Sequence, residues 1–351
     1  MAQLDGVLAA EDGGDAPTPA GATAQGSAGA GFRSRFRGWC RGWRPAGRRG
    51  WITAVLAVLL AGLLALHSSV PNSVGNLGSL LETFLPWAGL TLPLLLTVAV
   101  WRRSVAALVA VLLPVIVWFN LFGGLLFDKS SGKGDFTVLT HNVAAGNRDP
   151  AGTVRLLNGS GAQIVALEEL AAQAVPTYQA GLAATYPYHA VEGTVGLWSK
   201  YPLSGVSQVD IRIGWVRAFR ATVATPRGPL GVYVAHLPSV RVKFDRGFTA
   251  EQRDVSAQAL GDAIERDGLK KVLLLGDLNG TMNDRSLAPI TSQMRSAQGA
   301  AGDGFGFSWP STFPMARIDQ IMSKGGLRPT ASWTLPADGS DHRAIAASYR
   351  Y

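Results

Sequence analysis

The chain predicts a mixed α/β domain carried behind three membrane-spanning helices, and three observations lead there. Apolar residues concentrate ahead of residue 128, in three stretches that contain no Asp, Glu, Lys or Arg. Beyond them, short apolar runs rich in β-branched and aromatic residues alternate with turn-forming residues, the pattern of strands. Two longer segments among these runs read as helices, so the distal part mixes both element types.

Taken in order, the first thirty residues are rich in Ala and Gly, carry four acidic side chains and have little to bury, which predicts a disordered tail over 1–50 that ends in a basic juxtamembrane run. Residues 51–67, 84–101 and 105–127 each approach the roughly 20 apolar residues that cross a bilayer. None shows the polar stripe of a helix packed in a soluble core. A cleaved signal peptide is the competing reading of the first stretch, but the leader of about 50 residues is far longer than a normal n-region and no A-x-A site follows.

Arginines set the predicted orientation. Arg33, Arg35, Arg37, Arg41, Arg44, Arg48 and Arg49 precede the first stretch, and Arg102 and Arg103 separate the second and third. The positive-inside rule then places the N-terminus and the Arg102–Arg103 turn in the cytoplasm, and three crossings put everything after Phe127 outside it. Nine of the 32 Lys and Arg and five of the 24 Asp and Glu fall before residue 128, so the formal charge of +8 divides equally between anchor and distal domain. The concentrated cationic patch marks topology and contact with anionic lipid, and no dedicated nucleic-acid partner is expected. Cys40 is the sole cysteine, which excludes an intramolecular disulfide.

Residues 128–134 form a Gly/Ser/Lys linker, and 135–351 supply ample chain for one buried core. Strands are predicted at Phe136–Thr140, Ile164–Leu167, Val195–Ser199, Phe219–Ala224, Gly231–Ala235, Val272–Leu275, Ile318–Met322, Ser332–Leu335 and Ala344–Tyr349. Helices are predicted at Ala151–Ser160 and Thr249–Asp267, the second with Thr249 as N-cap and Gln252 three residues on.

Polar residues gather where these strands end. Asn142 follows the first, Glu168 and Glu169 the second, and His236 the fifth; Asp277 and Asn279 follow the sixth. Asp319 lies at the start of a later strand, and Asp341 and His342 just before the last. Asp, Asn and Gly also make ordinary turns, so each site alone has that simpler explanation. Recurrence at one strand after another is what open α/β folds use to build a site. The stretch 239–246, SVRVKFDR, mixes cations with Val and Phe, and suits either a phosphorylated lipid headgroup or plain solvent exposure.

The runs LTHNVAAGN, IVALEEL, GLWSKYPL, VYVAHLPS, LLLGDLNG, ARIDQIMS and GSDHRAI, in this order over about 135–351, resemble the endonuclease/exonuclease/phosphatase superfamily. That resemblance implies a four-layer α/β/β/α sandwich of DNase I-like type and hydrolysis of phosphate esters with Mg²⁺ or Mn²⁺. It implies Glu169 as main metal carboxylate, with Asn142 helping and Asp341 completing or orienting the site. Asp277 would orient or deprotonate the attacking water, and Asn279 would hold it and a phosphoryl oxygen. His236 and His342 would hydrogen-bond the phosphate, with Asp319 fixing the tautomer of His342. Family members often carry Gln where Glu168 stands, which leaves either glutamate open as the ligand. Arg220 either supports the site or makes a strand salt bridge.

Such chemistry must neutralise anionic oxygens and aim a water in line. A tether of three helices holds an enzyme near a lipid-linked substrate, whereas a nuclease gains little from it. The Ala/Gly/Arg-rich composition and three-helix plan also resemble actinomycete membrane proteins associated with teicoplanin resistance, which implies an envelope substrate such as an undecaprenyl-linked (di)phosphate or a wall precursor. Two rivals are a surface nuclease, which would want a concentrated basic stripe, and a catalytically idle module that captures a phosphorylated ligand.

Overall fold

In the computed structural model, residues 50–72, 77–239 and 250–351 are described. The juxtamembrane arginines, Cys40, the Thr249 cap and most of the stretch 239–246 lie outside the described residues.

Two six-stranded sheets stack face to face. The first has the order β11-β12-β1-β2-β4-β3 and the second β5-β6-β7-β8-β10-β9. The strands are β1 (Phe136–Asn142), β2 (Ile164–Glu168), β3 (Tyr188–Glu192), β4 (Val195–Ser199), β5 (Leu203–Gln208), β6 (Ala218–Thr225), β7 (Gly228–His236), β8 (Val272–Asp277), β9 (Arg295–Ser296), β10 (Asp319–Lys324), β11 (Arg328–Thr334) and β12 (Ile345–Arg350). In each sheet the two central strands, β1 with β2 and β7 with β8, run parallel. Val138, Ile164, Val232, Leu273 and Ile321 are among the fully buried side chains that fill the space between the sheets. Central strands buried on both faces read as continuous apolar runs, which is why the sequence exposes them so clearly.

Helices cover the outer faces. On the first sheet, α5 (Pro150–Gly159) and α6 (Val175–Leu182) contribute Val154, Leu157, Tyr178 and Leu182 to a core with Leu139, Val165 and Trp198. Asp149 caps α5 by accepting from Gly152 N at 2.8 Å, with Pro150 in the first turn. On the second sheet, α7 (Ala250–Glu265) and the short α8 (Ala288–Thr291) bury Ala257, Leu260, Ile264 and Ile290 against Tyr233, Leu274 and Met322. The layers are therefore helix, sheet, sheet, helix, as expected. A short helix, α9 (Ala297–Ala301), follows β9.

The three apolar stretches of the N-terminal part form helices of different length. The first stretch forms α1 (Trp51–Ala65), whose 15 residues reach about 22 Å, short of a hydrocarbon core of about 30 Å. Two helical stretches are long and apolar enough to cross a membrane, Leu77–Trp101 and Val105–Leu125. The first comprises α2 (Leu77–Phe84), a 3₁₀ segment Leu85–Leu90 and α3 (Thr91–Trp101); the second contains α4 (Val105–Phe122), capped by Ser104. Leu94, Trp101, Ile116 and Phe119 are exposed on these helices.

α2 starts earlier than the apolar pattern suggested, and its polar residues explain why. Ser79 and Glu82 are fully buried against the distal domain. Ser79 Oγ accepts from Arg253 Nη2 at 2.9 Å, and the Glu82 carbonyl accepts from Thr281 Oγ1 at 3.2 Å. Arg253, itself fully buried, also donates to the Asn279 carbonyl at 2.8 Å and pairs with Asp284 at 2.7 Å. Buried polar contacts thus tie the helical N-terminal part to α7 and to the loop that follows β8.

Candidate active site

Strand register brings the site together. Asp277 ends β8, and its register partners are His236 at the end of β7 and Asp319 at the start of β10. Asn142 ends β1 opposite Glu168 at the end of β2. The C-terminal ends of the parallel pairs in both sheets open on the same side, so residues far apart in sequence share one mouth.

Two backbone features permit this. Gly276 has φ 153°, and a Cβ there would stand 1.9 Å from the Ala235 carbonyl, so only glycine lets β7 and β8 approach immediately before Asp277. Glu169 and Asn279 are non-glycine residues with φ of 58° and 46°. Such conformations cost energy and concentrate at functional sites, where they aim a side chain.

Asn142 is the hub. Its Nδ2 donates to Asp277 Oδ2 at 3.0 Å and to Glu169 Oε1 at 3.1 Å, while Ala144 N donates to its Oδ1. Glu169 Oε2 accepts from Ala145 N at 3.1 Å. His236 Nε2 lies 3.7 Å from both Glu169 Oε1 and Asp277 Oδ2. His342 turns Nδ1 to Asp319 at 3.0 Å and Nε2 toward Asp277 at 3.9 Å. Asn279 N donates to Asp277 Oδ1, and its amide donates to the Leu237 carbonyl. Asn142, Glu169, His236, Asp277, Asn279, Asp319 and His342 therefore meet in one group.

The remaining sequence expectations resolve differently. Glu168 is fully buried and accepts from Thr140 Oγ1 at 2.8 Å, and burial pushes its carboxyl well above the usual range. Glu169, not Glu168, faces Asn142. Asp341 is exposed at the rim beside His342. Arg220 pairs with Asp267 at 3.1 Å, so it is a strand salt bridge.

Several partners were not singled out by the sequence. Ser308 donates to Asp319 Oδ2, Ser340 Oγ donates to the Asn142 carbonyl at 2.6 Å, and the Arg217 guanidinium lies against the His236 ring. Ser340 stands inside the GSDH run and was findable there. Ser308 and Arg217 lie in loops whose register no local pattern reveals.

Electrostatics separate the two buried acids. Burial, reinforced by the Asp319 charge, pushes the Asp277 carboxyl up to about 7. For Asp319 burial acts in the same direction, but the His342 charge and its hydrogen bond win and hold it below the ordinary value. Burial opposes the charged form of His342, yet Asp319, Asp277 and Asp341 outweigh it and raise the imidazole to about 10. His236 falls well below its ordinary value through burial and the charges of Arg217 and His342. The site thus contains an acid poised near neutrality, an imidazolium and a neutral imidazole, the spread that acid–base work needs.

The donor set also fits a divalent cation. Glu169 and Asp277 offer carboxylate oxygens bridged by Asn142, hard ligands of the kind that suit Mg²⁺ or Mn²⁺. His342 turns Nδ1 to Asp319 at 3.0 Å and stands farther, at 3.9 Å, from Asp277. A second group, Asp277, Asp319 and His342, has ligand atoms within 4.8 Å of one another. Because Asp319 and His342 satisfy each other, that group reads as an oriented acid rather than an ion cage. A bound cation would supply charge neutralisation for a phosphoryl group.

A sequence profile of the endonuclease/exonuclease/phosphatase family matches residues 139–342, more than half of the chain, and the chain belongs to that family. No curated protein matches it. Among solved structures it is similar to Danio rerio TDP2 complexed with a single-strand DNA product, at 16% identity and a TM-score of 0.52 over 62% of this chain and 99% of that one. It is also similar to the Bacteroides thetaiotaomicron mannosyl-6-phosphatase Bt3783, at 12% identity and a TM-score of 0.51 over 62% and 100% of the chains. A truncated Caenorhabditis elegans TDP2 is similar at 18% identity, with a TM-score of 0.52 over 61% and 97%. At these identities the likeness concerns the fold alone.

Proposed function

We propose that this protein is a membrane-anchored, divalent-metal-dependent phosphohydrolase that acts outside the cytoplasm on a phosphorylated envelope amphiphile. The observation that carries this reading is the convergence of Asp277 with Asn142, Glu169, His236 and the Asp319–His342 pair at one mouth. Asp277 accepts the proton of the attacking water, and Asn279, fixed by its bond to Leu237, holds that water and a phosphoryl oxygen. Protonated His342, oriented by Asp319, donates to the developing charge, and His236 donates a further hydrogen bond. Glu169 and Asp277 would hold Mg²⁺ or Mn²⁺, which would neutralise charge on the phosphoryl group.

The contacts that tie α2 to the loop after β8 favour a substrate delivered from the membrane, such as an undecaprenyl-linked (di)phosphate or another wall precursor. Turnover of such a precursor would give the protein a part in glycopeptide (teicoplanin) resistance. In this reading Leu77–Trp101 and Val105–Leu125 cross the membrane with the Arg102–Arg103 turn in the cytoplasm, which leaves the distal domain outside it.

The test is product release by the full-length protein with Mg²⁺ or Mn²⁺, on undecaprenyl diphosphate, a phosphodiester lipid and DNA, beside Asp277→Ala. Release from a lipid that the variant does not support agrees with the proposal. Turnover of DNA alone would establish a nuclease, and no release from any substrate would leave a binding module.

A further inference from the structure

Two adjoining cavities lie where the helical N-terminal part meets the distal domain. One, of about 310 Å³, reaches from Phe122 and Leu125 of the α4 end to Thr281 after β8 and Arg317 before β10. The other, of about 300 Å³, lies between Trp87, Leu90 and Trp118. They share Pro86, Phe305 and Phe307 as a common wall. Each matches the lower size range of ligand sites. The wall is built rather than incidental. Trp87 donates to the Met315 carbonyl at 2.8 Å and stacks on Phe307, and Trp118 donates to the Pro86 carbonyl at 2.9 Å. A Cβ at Gly89 would stand 2.6 Å from the Trp118 ring, so glycine there lets the indole close in.

The larger cavity is polar at its domain end. Arg317 is buried there and spends one nitrogen on the Gly306 carbonyl at 2.8 Å, leaving Nε and Nη2 without a partner among the described residues. The Gln298 and Gln320 side chains, also buried, line the same cavity, and each leaves Oε1 without a partner among the described residues. Unsatisfied buried polar atoms are costly and rare in native proteins. Burial lowers the Arg317 guanidinium to about 10, so it is still cationic at neutral pH. Buried N–H donors on a cation call for an anion, and two free carbonyl oxygens beside them call for hydroxyl donors. Toward the helices the lining becomes apolar, and the exposed Leu90, Leu94 and Phe119 continue that surface outward.

We propose that this junction is a phospholipid site: a polyol phosphate headgroup meets Arg317, Gln298 and Gln320, and one acyl chain lies along Phe305, Phe307 and Trp118 into the bilayer. The occupant is a resident anionic phospholipid that locks the anchor to the loop after β8. It rests on the membrane-anchored reading of the helices and not on turnover at Asp277.

The test uses the full-length protein in detergent, with retained lipid measured by native mass spectrometry after addition of phosphatidylglycerol or phosphatidylcholine. Retention of one phosphatidylglycerol per chain is expected, at least about tenfold tighter than phosphatidylcholine, which corresponds to about 1.4 kcal/mol. Arg317→Gln abolishes the preference. Gly124→Phe, at a cavity-lining position where a Cβ meets no atom within 4 Å, weakens both lipids and guards against misfolding of the first variant. Equal retention of the two lipids, or a preference unchanged in Arg317→Gln, overturns the proposal. Hydrolysis of bis(4-nitrophenyl) phosphate by the same preparations separates the two readings. Hydrolysis without lipid preference sinks this inference alone, and lipid preference without hydrolysis upholds it while the enzymatic reading falls.

Discussion

Replacing Asp319 with Asn tests the oriented-imidazole argument, because two charges change together in a calculable direction. With Asp319 in place, His342 titrates at about 10 and is essentially all imidazolium at pH 7.5. Without that carboxylate burial still opposes the imidazolium and only Asp277 and Asp341 remain to favour it, so the imidazole falls from that value. An imidazole at its ordinary value of about 6.5 carries the proton in about one molecule in eleven at pH 7.5, so protonation alone lowers kcat by up to about tenfold. Loss of the preferred tautomer adds to the drop, and a comparable Asp→Asn change in a serine-protease triad costs about 10⁴. The same substitution removes the charge that helps to raise Asp277, so the acidic limb of the profile moves down as well. The assay is kcat against pH from about 5 to 10 for wild type and Asp319→Asn, with saturating Mg²⁺. The ratio of variant to wild type should recover toward pH 5.5, where His342 regains its proton unaided. A variant whose basic limb stays near 10, or whose deficit is the same at every pH, refutes the reasoning.

Further outcomes follow from the same geometry. Asp277→Asn should lower kcat by about 10²–10⁴ while the melting temperature of the cation-free protein holds or rises, because a crowded buried acid is gone; differential scanning calorimetry beside the rate assay checks both. Cation-free protein should lose stability as pH rises from about 4 to 7: Asp277 titrates at about 7 in the fold against an ordinary value near 3.8, so the unfavourable ionised form appears over that window. Mg²⁺ should therefore raise the melting temperature more at pH 8 than at pH 5, and an equal rise at both would count against the cation at Asp277. Arg253→Ala should destabilise by about 3–5 kcal/mol in chemical denaturation, because it strands the buried Asp284 carboxylate; a change below about 1 kcal/mol would mean that the junction is not held as described.

Much of the domain was legible because its central strands are buried on both faces. Val272–Asp277 and Ile164–Glu168 are uninterrupted apolar runs that end in acids, and the structure ends those strands at Asp277 and Glu168. Edge strands were missed for the complementary reason. β5 is largely exposed and broken by an irregularity between Ser204 and Ser207, and β3 has an exposed start, so neither shows a strong period. β9 is two residues long and takes its place from β10 rather than from its own propensity. Local pattern placed Asn142, His236 and Asp277 at strand ends, but only register and packing put them in contact. The choice between Glu168 and Glu169 was likewise tertiary. Period two assigns adjacent residues to opposite faces without saying which face holds the site. The second N-terminal helical stretch was read as too short from hydropathy, because Ser79 and Glu82 look like breaks in an apolar pattern until Arg253 and Thr281 are known to meet them.

Whether Glu169 and Asp277 share one divalent cation is answered most directly by an anomalous difference map from crystals of the full-length protein grown with Mn²⁺. A single peak within about 2–2.5 Å of carboxylate oxygens of both residues, absent in Asp277→Asn, is the predicted result. A peak held instead by Asp319 and His342, or no peak at this mouth at saturating Mn²⁺, would contradict the assignment of acids and imidazoles on which the proposed hydrolysis depends.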